Sequence, residues 1–517
     1  MFRINSSSRR AGAAIAGVVA TMLLLAGCAG APSTEGTSDT PKSGGTLVAA
    51  LTGEPDTLDP ATSSIYTGAQ VYEGIFSKLI DMAPDGSIVG DLATKWEQVD
   101  EKTWTFTLAE GVEFQNGEPF SADDVVYTFN RILDPKTASA YAGLYSAIDS
   151  VEAVDPQTVT FHLNAPSGPF LTNLAANGQI VNKKAIESDD AARHPVGTGP
   201  FEFVEWVQGD HITVKKFEKY FKSDLPKLDQ VTYRFLLVDQ SRIDALSANE
   251  IQWVDAIPLQ QVATLSKDPR FTYVTNPVAG IPDFLAMNTT KPPFDNAKVR
   301  QAISLVIDRA QIKDVAYFGT GEEGWSEMPS GSPWFESGLE TTPEIEKAKQ
   351  LLADAGYADG LTVEYLGLPQ YPELLKTGEL VREQLKQIGI DLKIKPVDVS
   401  VWFDAFSSGD YQITSAYQER TIDPDNFYSL VIKSGGPINT TGYSNAEVDK
   451  LIDEAAQLTD VEKRKALYSE IRAKVTEDAP IVFTHFETMN YLMQKNVVGS
   501  EVTPTLSLHM ERIGLSG

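Results

Sequence analysis

The chain has 517 residues, with 42% hydrophobic, 22% charged and 9% aromatic residues, 38 glycines and 29 prolines, which excludes disorder as its main state and excludes a small stapled scaffold. At roughly 150 residues per domain, this length accommodates two to four domains. The 43 Lys and Arg against 71 Asp and Glu leave a net charge of −28, and a surface that acidic repels phosphate backbones, so nucleic acid is not an expected partner.

Arg3, Arg9 and Arg10 precede an uncharged, mostly apolar run over residues 11–27 that leads into Cys28. A basic start, a short apolar stretch and small residues before a cut are the pattern of an export signal. The run is shorter than the roughly 20 residues a membrane-spanning helix needs. Leu25-Ala26-Gly27-Cys28 resembles a bacterial lipobox. The expectation is therefore a lipoprotein signal peptide over 1–27 and an acylated Cys28 that anchors the protein at the outer face of the cytoplasmic membrane. Cys28 is the only cysteine, so no intramolecular disulfide can form. Ala11-Gly12-Ala13-Ala14 after the paired arginines favours the general secretory route over a twin-arginine one. Residues 28–45 are rich in Ser, Thr, Gly and Pro and read as a flexible tether.

Beyond the tether, helix and strand patterns mix. Trp104, Phe106 and Leu108 alternate with threonines, which predicts a half-buried strand, and Asn116-Gly117 suggests the turn of a hairpin. Ser121 with Asp124 three residues on predicts a helix start, and Val125, Phe129 and Ile132 share one helical face. In Val196-Gly197-Thr198-Gly199-Pro200-Phe201 the glycines are expected to relax the backbone of a tight turn, with a strand from Phe201. The spacing predicts helices over 299–310, 345–355, 446–457 and 461–475. Leu361, Val363 and Tyr365 alternate, Leu374, Val381, Leu385 and Ile388 recur at helical spacing, and a second alternating stretch starts at Ile390. Strand, helix and strand over that span predict a βαβ unit with parallel strands. The mixture points to an α/β or α+β protein of more than one lobe.

Four stretches carry a resemblance: 93–135, 194–206 (HPVGTGPFEFVEW), 291–309 (KPPFDNAKVRQAISLVIDR) and 442–455 (GYSNAEVDKLIDEA). They look like the family 5 extracellular solute-binding proteins, the dipeptide-, oligopeptide- and nickel-type receptors of ABC importers. The resemblance implies an α/β, two-lobed periplasmic-binding-protein-like fold of type II with an additional domain. Lobe I is expected at 46–82, 196–282 and 480–517, the extra α+β domain at 83–195 and lobe II at 283–479. It also implies a monomeric receptor that takes an oligopeptide or other polar solute into an interlobe cleft and hands it to the transmembrane subunits of an ABC permease, with no cofactor. A surface lipoprotein for adhesion or signalling, and last an extracellular hydrolase, are the alternatives.

Site residues follow from the same resemblance. Tyr66, Tyr141, Tyr417 and Phe486 fall in segments that line the cleft in relatives, and Gln418, Glu419 and His485 beside them are further ligand-binding candidates, although a lone histidine is more often a hydrogen-bonded packing residue than a metal ligand. In peptide-binding relatives an aspartate three residues before a DPDNF-like motif pairs with the ligand's amino terminus, and counting back from Asp423 places Arg420 there. The charge is reversed, so either Glu419 takes the anionic role or Arg420 favours a carboxylate, phosphate or sugar hydroxyl. Asp423-Pro424-Asp425-Asn426 itself reads as a turn.

Motifs for catalysis or metals are thin. Gly319-Thr320-Gly321-Glu322-Glu323-Gly324 satisfies a GxGxxG pattern, but two glutamates would repel a pyrophosphate and no clean helix follows, so it reads as a loop. The five histidines, at 162, 194, 211, 485 and 509, show no metal-ligand spacing, and no metal site is expected.

Overall fold

The computed structural model describes residues 40–63, 65–188, 190–419 and 421–516. The expected signal peptide, Cys28, most of the tether and Arg420 lie outside the described residues.

Three sheets organise the chain. The first has seven strands in the order Phe271–Val274, Tyr491–Gln494, Trp253–Val254, Thr46–Leu51, Gln230–Phe235, His211–Lys216 and Phe201–Val207. Thr46–Leu51 is central and runs parallel to both neighbours. Both of its faces are covered: Leu47, Ala49 and Leu51 join a core with Tyr233 and Trp253, and Ala50 joins another with Leu246 and Val254. Such a strand reads as a continuous apolar run.

The second sheet has six strands in the order Glu322–Glu323, Ile481–Glu487, Ile281–Met287, Ile413–Tyr417, Leu361–Gly367 and Ile390–Pro396. Leu361–Gly367 and Ile390–Pro396 are parallel and joined by the helix Pro372–Lys386, as the periodicity predicts. The Ile281–Met287 strand is buried throughout. Leu285 and Met287 face one core with Val381 and Leu385, and Phe284 and Ala286 face the other with Phe427 and Tyr428. The predicted helix over 299–310 is two, Ala297–Ser304 and Arg309–Ala316. Asp308 starts the second by accepting the backbone N–H of Gln311 at 2.9 Å, a cap that ends the earlier register.

The third sheet is antiparallel, in the order Ala93–Asp100, Thr103–Leu108, Thr158–Leu163 and Ile148–Asp155. It is backed by the helix Ala122–Leu133, whose Phe129 meets Phe161 edge to face at 5.0 Å between ring centres. The backbone N–H of Ser121 donates to Asp124 Oδ2 at 2.9 Å, which realises the predicted helix start. The hairpin partner of Thr103–Leu108 is the preceding strand, not one after Asn116-Gly117. That dipeptide instead turns a short loop in which Glu113 faces Pro119.

Gly197 and Gly199 join this body to the first sheet for a reason other than turn conformation, since neither has a positive φ. A Cβ at Gly197 would lie 2.1 Å from the carbonyl oxygen of Ile75, and one at Gly199 would lie 2.6 Å from the same atom. Gln115 seals the junction by donating to the carbonyls of Ile75 and Phe201 at 3.0 and 2.8 Å.

The chain crosses between the first and second sheets twice, over 275–280 and 488–490. The crossings run side by side: Val274 faces Tyr491 in the first sheet and Ile281 faces Glu487 in the second. A Cβ at Gly280 would fall 2.4 Å from the Phe486 ring and 2.5 Å from the Glu487 carbonyl oxygen, so only glycine permits this approach. The strand Ile481–Glu487, expected in the first lobe with 480–517, pairs in the second sheet. Its alternating core faces pack with Ile281–Met287, and the chain reaches the first sheet only from Tyr491.

Candidate functional site

A cleft of about 740 Å³ lies between the first and second sheets. Thr52, Arg242 and Ile257 to Gln260 form one wall, Val315, Phe318, Tyr371, Glu373 and Lys376 the other, and Glu487 stands beside the crossing. Phe318 is exposed and holds a left-handed φ of 54°, a costly backbone for a bulky residue. The cations in the lining are already engaged: Arg242 with Asp239 at 2.6 Å and Lys376 with Glu379 at 3.0 Å.

Strand pairing builds the second wall. Asp283 faces Tyr417 on one neighbouring strand and His485 on the other, and Glu487 follows His485 by two residues, hence on the same face. Tyr317, at the end of the helix Arg309–Ala316, stacks on His485 with ring centres 3.6 Å apart. The His485 ring is buried, and neither nitrogen has a hydrogen-bond partner among the described residues. Burial, with a smaller repulsion from Lys313, pushes its pKa down to about 3, so the imidazole is neutral.

The carboxyls behave in the opposite sense. Burial raises Asp283 well above the usual carboxylate range, and repulsion from Glu487 adds to it. Glu487 is pushed up to about 7 by burial, then by Glu373 and Glu419, and Glu373 is raised by burial. Across the cleft, burial pushes Asp255 up to about 6 although its Oδ2 accepts both the N–H and the hydroxyl of Thr52, at 2.9 and 3.0 Å.

The glycine-rich loop serves this wall rather than a phosphate. Glu322–Glu323 forms a two-residue strand against Phe486 and His485, where a plain loop is expected. A Cβ at Gly321 would meet His485 Nε2 at 2.5 Å, and one at Gly324 would meet its backbone N at 2.5 Å. These glycines let the loop lie flat on the buried imidazole.

The expected site residues divide. Tyr417 is half-buried and its hydroxyl donates to that of Tyr371 at 3.4 Å, which ties it to the cleft wall. Gln418 and Glu419 follow directly, with the Gln418 N–H donating to the Pro282 carbonyl at 3.2 Å. Tyr66 packs on the first core and bonds Tyr491 through the two hydroxyls at 2.8 Å. Tyr141 and Phe486 are buried. Tyr141 belongs to the third-sheet core and donates to the Ser63 carbonyl at 2.8 Å, and the Phe486 ring presses on Gly280. Asp423 is the cap of a short helix, Pro424–Phe427, and is fully buried in a two-bond pair with Arg464 at 2.8 and 2.6 Å. Asp283, Tyr317, Glu373 and Glu487 escaped sequence reasoning. Only the lone charge within the apolar run Ile281–Met287 could have pointed to one of them.

No helix among the described residues is long and apolar enough to cross a membrane, and no group of His, Cys, Asp and Glu among them could hold a metal.

The profile of bacterial extracellular solute-binding proteins, family 5 Middle, matches residues 87–439. The glutathione-binding protein GsiB of Pectobacterium atrosepticum is 27% identical over 484 residues, 89% of this chain and 92% of its own. Among solved structures, the binding protein AgaA of A.tumefacien R10 in complex with agropinic acid aligns with a TM-score of 0.79 at 30% identity, covering 92% of this chain and 99% of that one. The binding protein DppA of Helicobacter pylori in complex with the peptide STSA aligns at 0.79 and 26%, covering 92% and 99%. The substrate-binding protein CtaP of Listeria monocytogenes aligns at 0.84 and 26%, covering 92% and 100%.

Proposed function

This chain belongs to the bacterial extracellular solute-binding proteins of family 5, and from that membership we propose that it captures a peptide-like or other polar solute between its first and second sheets and closes on it. It is the substrate-binding receptor of an ABC importer, with the two-lobed fold of type II periplasmic binding proteins, and not an enzyme. The observation that carries the closure reading is the pair of adjacent crossings at 275–280 and 488–490 beside a cleft walled from both sheets. Two short crossings side by side, running in opposite directions, form a hinge, and a hinge is biased only by a ligand that touches both walls. Glutathione, agropinic acid and the peptide STSA, the solutes named for relatives, support a polar cargo. The same reading gives Tyr417, Gln418, Glu419 and Arg420 to the cargo's surroundings, Cys28 to a lipid anchor, residues 28–45 to a tether, and a monomeric state to the receptor.

Native mass spectrometry of protein purified without refolding tests the reading. A retained polar solute is expected, and returning it to the stripped protein should compact the molecule in small-angle scattering. Absence of any retained solute, together with unchanged scattering in a casein digest, would remove the closure reading.

A further inference from the structure

We propose that Asp283, Glu373 and Glu487, with the hydroxyl of Tyr317, form a seat for a positively charged group of the cargo, an alkylammonium or a guanidinium. The inference rests on the receptor reading above and names the chemistry of its cleft. Three observations carry it.

The first is geometric. Asp283 and Glu487 stand on one face of two paired strands, and Glu373 opens the helix Pro372–Lys386 against the same corner. Glu373 and Glu487 line the cleft itself. The second concerns partners. Asp283 Oδ2 and the Tyr317 hydroxyl are both buried, and neither has a hydrogen bond of ordinary geometry among the described residues, although the two groups face each other. Tyr317 also lies within electrostatic reach of Glu487 and Glu373. A phenol and a carboxylate oxygen left open in a folded interior forfeit free energy that a bound donor restores. The third is charge. No described lysine or arginine forms an ion pair with any of the three carboxyls, and the cleft's own cations are held by Asp239 and Glu379. Like charges crowded at one wall raise each other's pKa, and a ligand cation relieves that repulsion as it binds. Tyr371, on the same wall, adds an aromatic face suited to a cation.

A structural role alone, with the carboxyls sharing protons inside the wall, would make them indifferent to the charge of what binds. The test exploits that difference. The receptor, the single variants Asp283→Asn and Glu487→Gln and the double variant are incubated with a casein digest and with the same digest after acetylation of its amines, and retained solutes are identified by native mass spectrometry. Every solute retained by the unaltered receptor should carry a free amine or a guanidinium. Its affinity should fall about tenfold or more in each single variant, in keeping with loss of a charged contact. Neither amide should lower the thermal midpoint, since each removes a repulsion, so lost binding would not reflect lost folding. Retention of neutral acetylated peptides as tightly as free-amine ones, or undiminished retention by the double variant, would overturn the cation seat and leave the receptor standing. Retention of nothing from either digest, with no solute carried through purification, would overturn the receptor reading and the seat with it.

Discussion

Tyr317 lies flat against His485, with ring centres 3.6 Å and planes 21° apart, and the two glycines that flank Glu322–Glu323 let the chain close over the imidazole. The stack sets the position of the phenol beside Asp283, so the glycine loop bears on the cleft wall through His485.

Gly321→Ala should therefore cost about 2–4 kcal/mol, combining a left-handed backbone with overlap against His485 Nε2 and the Phe486 carbonyl oxygen. Gly319 shares the positive φ but has no atom of the described residues within 4 Å of an added Cβ, so Gly319→Ala should cost only about 1 kcal/mol. Urea unfolding of both variants measures the difference, and equal midpoints would show that the loop does not bear on His485.

Asp423 lies in a motif that the resemblance places near ligand, yet its carboxylate is consumed by Arg464 inside the second lobe's structure. Asp423→Ala leaves a buried guanidinium unpaired and should cost about 3–5 kcal/mol. Affinity for the copurified solute, measured well below the new midpoint, should hold within about twofold. A large loss of affinity at full folding would return Asp423 to the site.

Stability should fall as pH rises from about 6.5 to 8, in part through Glu487. Its folded pKa of about 7 exceeds the roughly 4.3 of an unfolded glutamate, so the native state holds the extra proton and loses that advantage as pH climbs through 7. Glu373 and Glu419 disfavour the Glu487 charge, and Asp283, Tyr317 and Tyr417 lie within its electrostatic reach. His485 acts only below about 6.5, where protonation favours unfolding, and His509, raised to about 8, slopes the same way as Glu487. Glu487→Gln isolates the contribution: the decline in thermal midpoint between pH 6.5 and 8 should flatten. An identical slope in the variant would mean that Glu487 is ionised throughout.

Arg420 and Glu419 offer a charge test at the position where peptide-binding relatives carry an aspartate. Arg420→Asp should weaken binding of the copurified solute by about 2–5 kcal/mol if the arginine meets a ligand anion, and Glu419→Ala should cost less. Calorimetry on both variants decides, and unchanged binding by Arg420→Asp would remove it from the site.

Cys28→Ser should abolish lipid labelling and release folded receptor into the soluble fraction. Undiminished label on the serine variant would sink the lipobox assignment.

Much of the architecture was legible because it rests on local periodicity. The βαβ unit over 361–396, the capped helix after Ser121 and the helix Ala446–Gln457 each follow from side chains that repeat at the period of their own element. Four motifs were enough to indicate the family, since they are long and occur in order. The sequence could not assign Ile481–Glu487 to the second sheet, because an apolar alternating strand fits either sheet and only pairing with Ile281–Met287 decides. Nor could it assemble the acidic wall. Asp283, Tyr317, Glu373 and Glu487 are spread over some 200 positions, and strand register with one helix start brings them together. Their significance lies in the burial and crowding that tertiary packing imposes, and neither is written in the identity of an aspartate or glutamate.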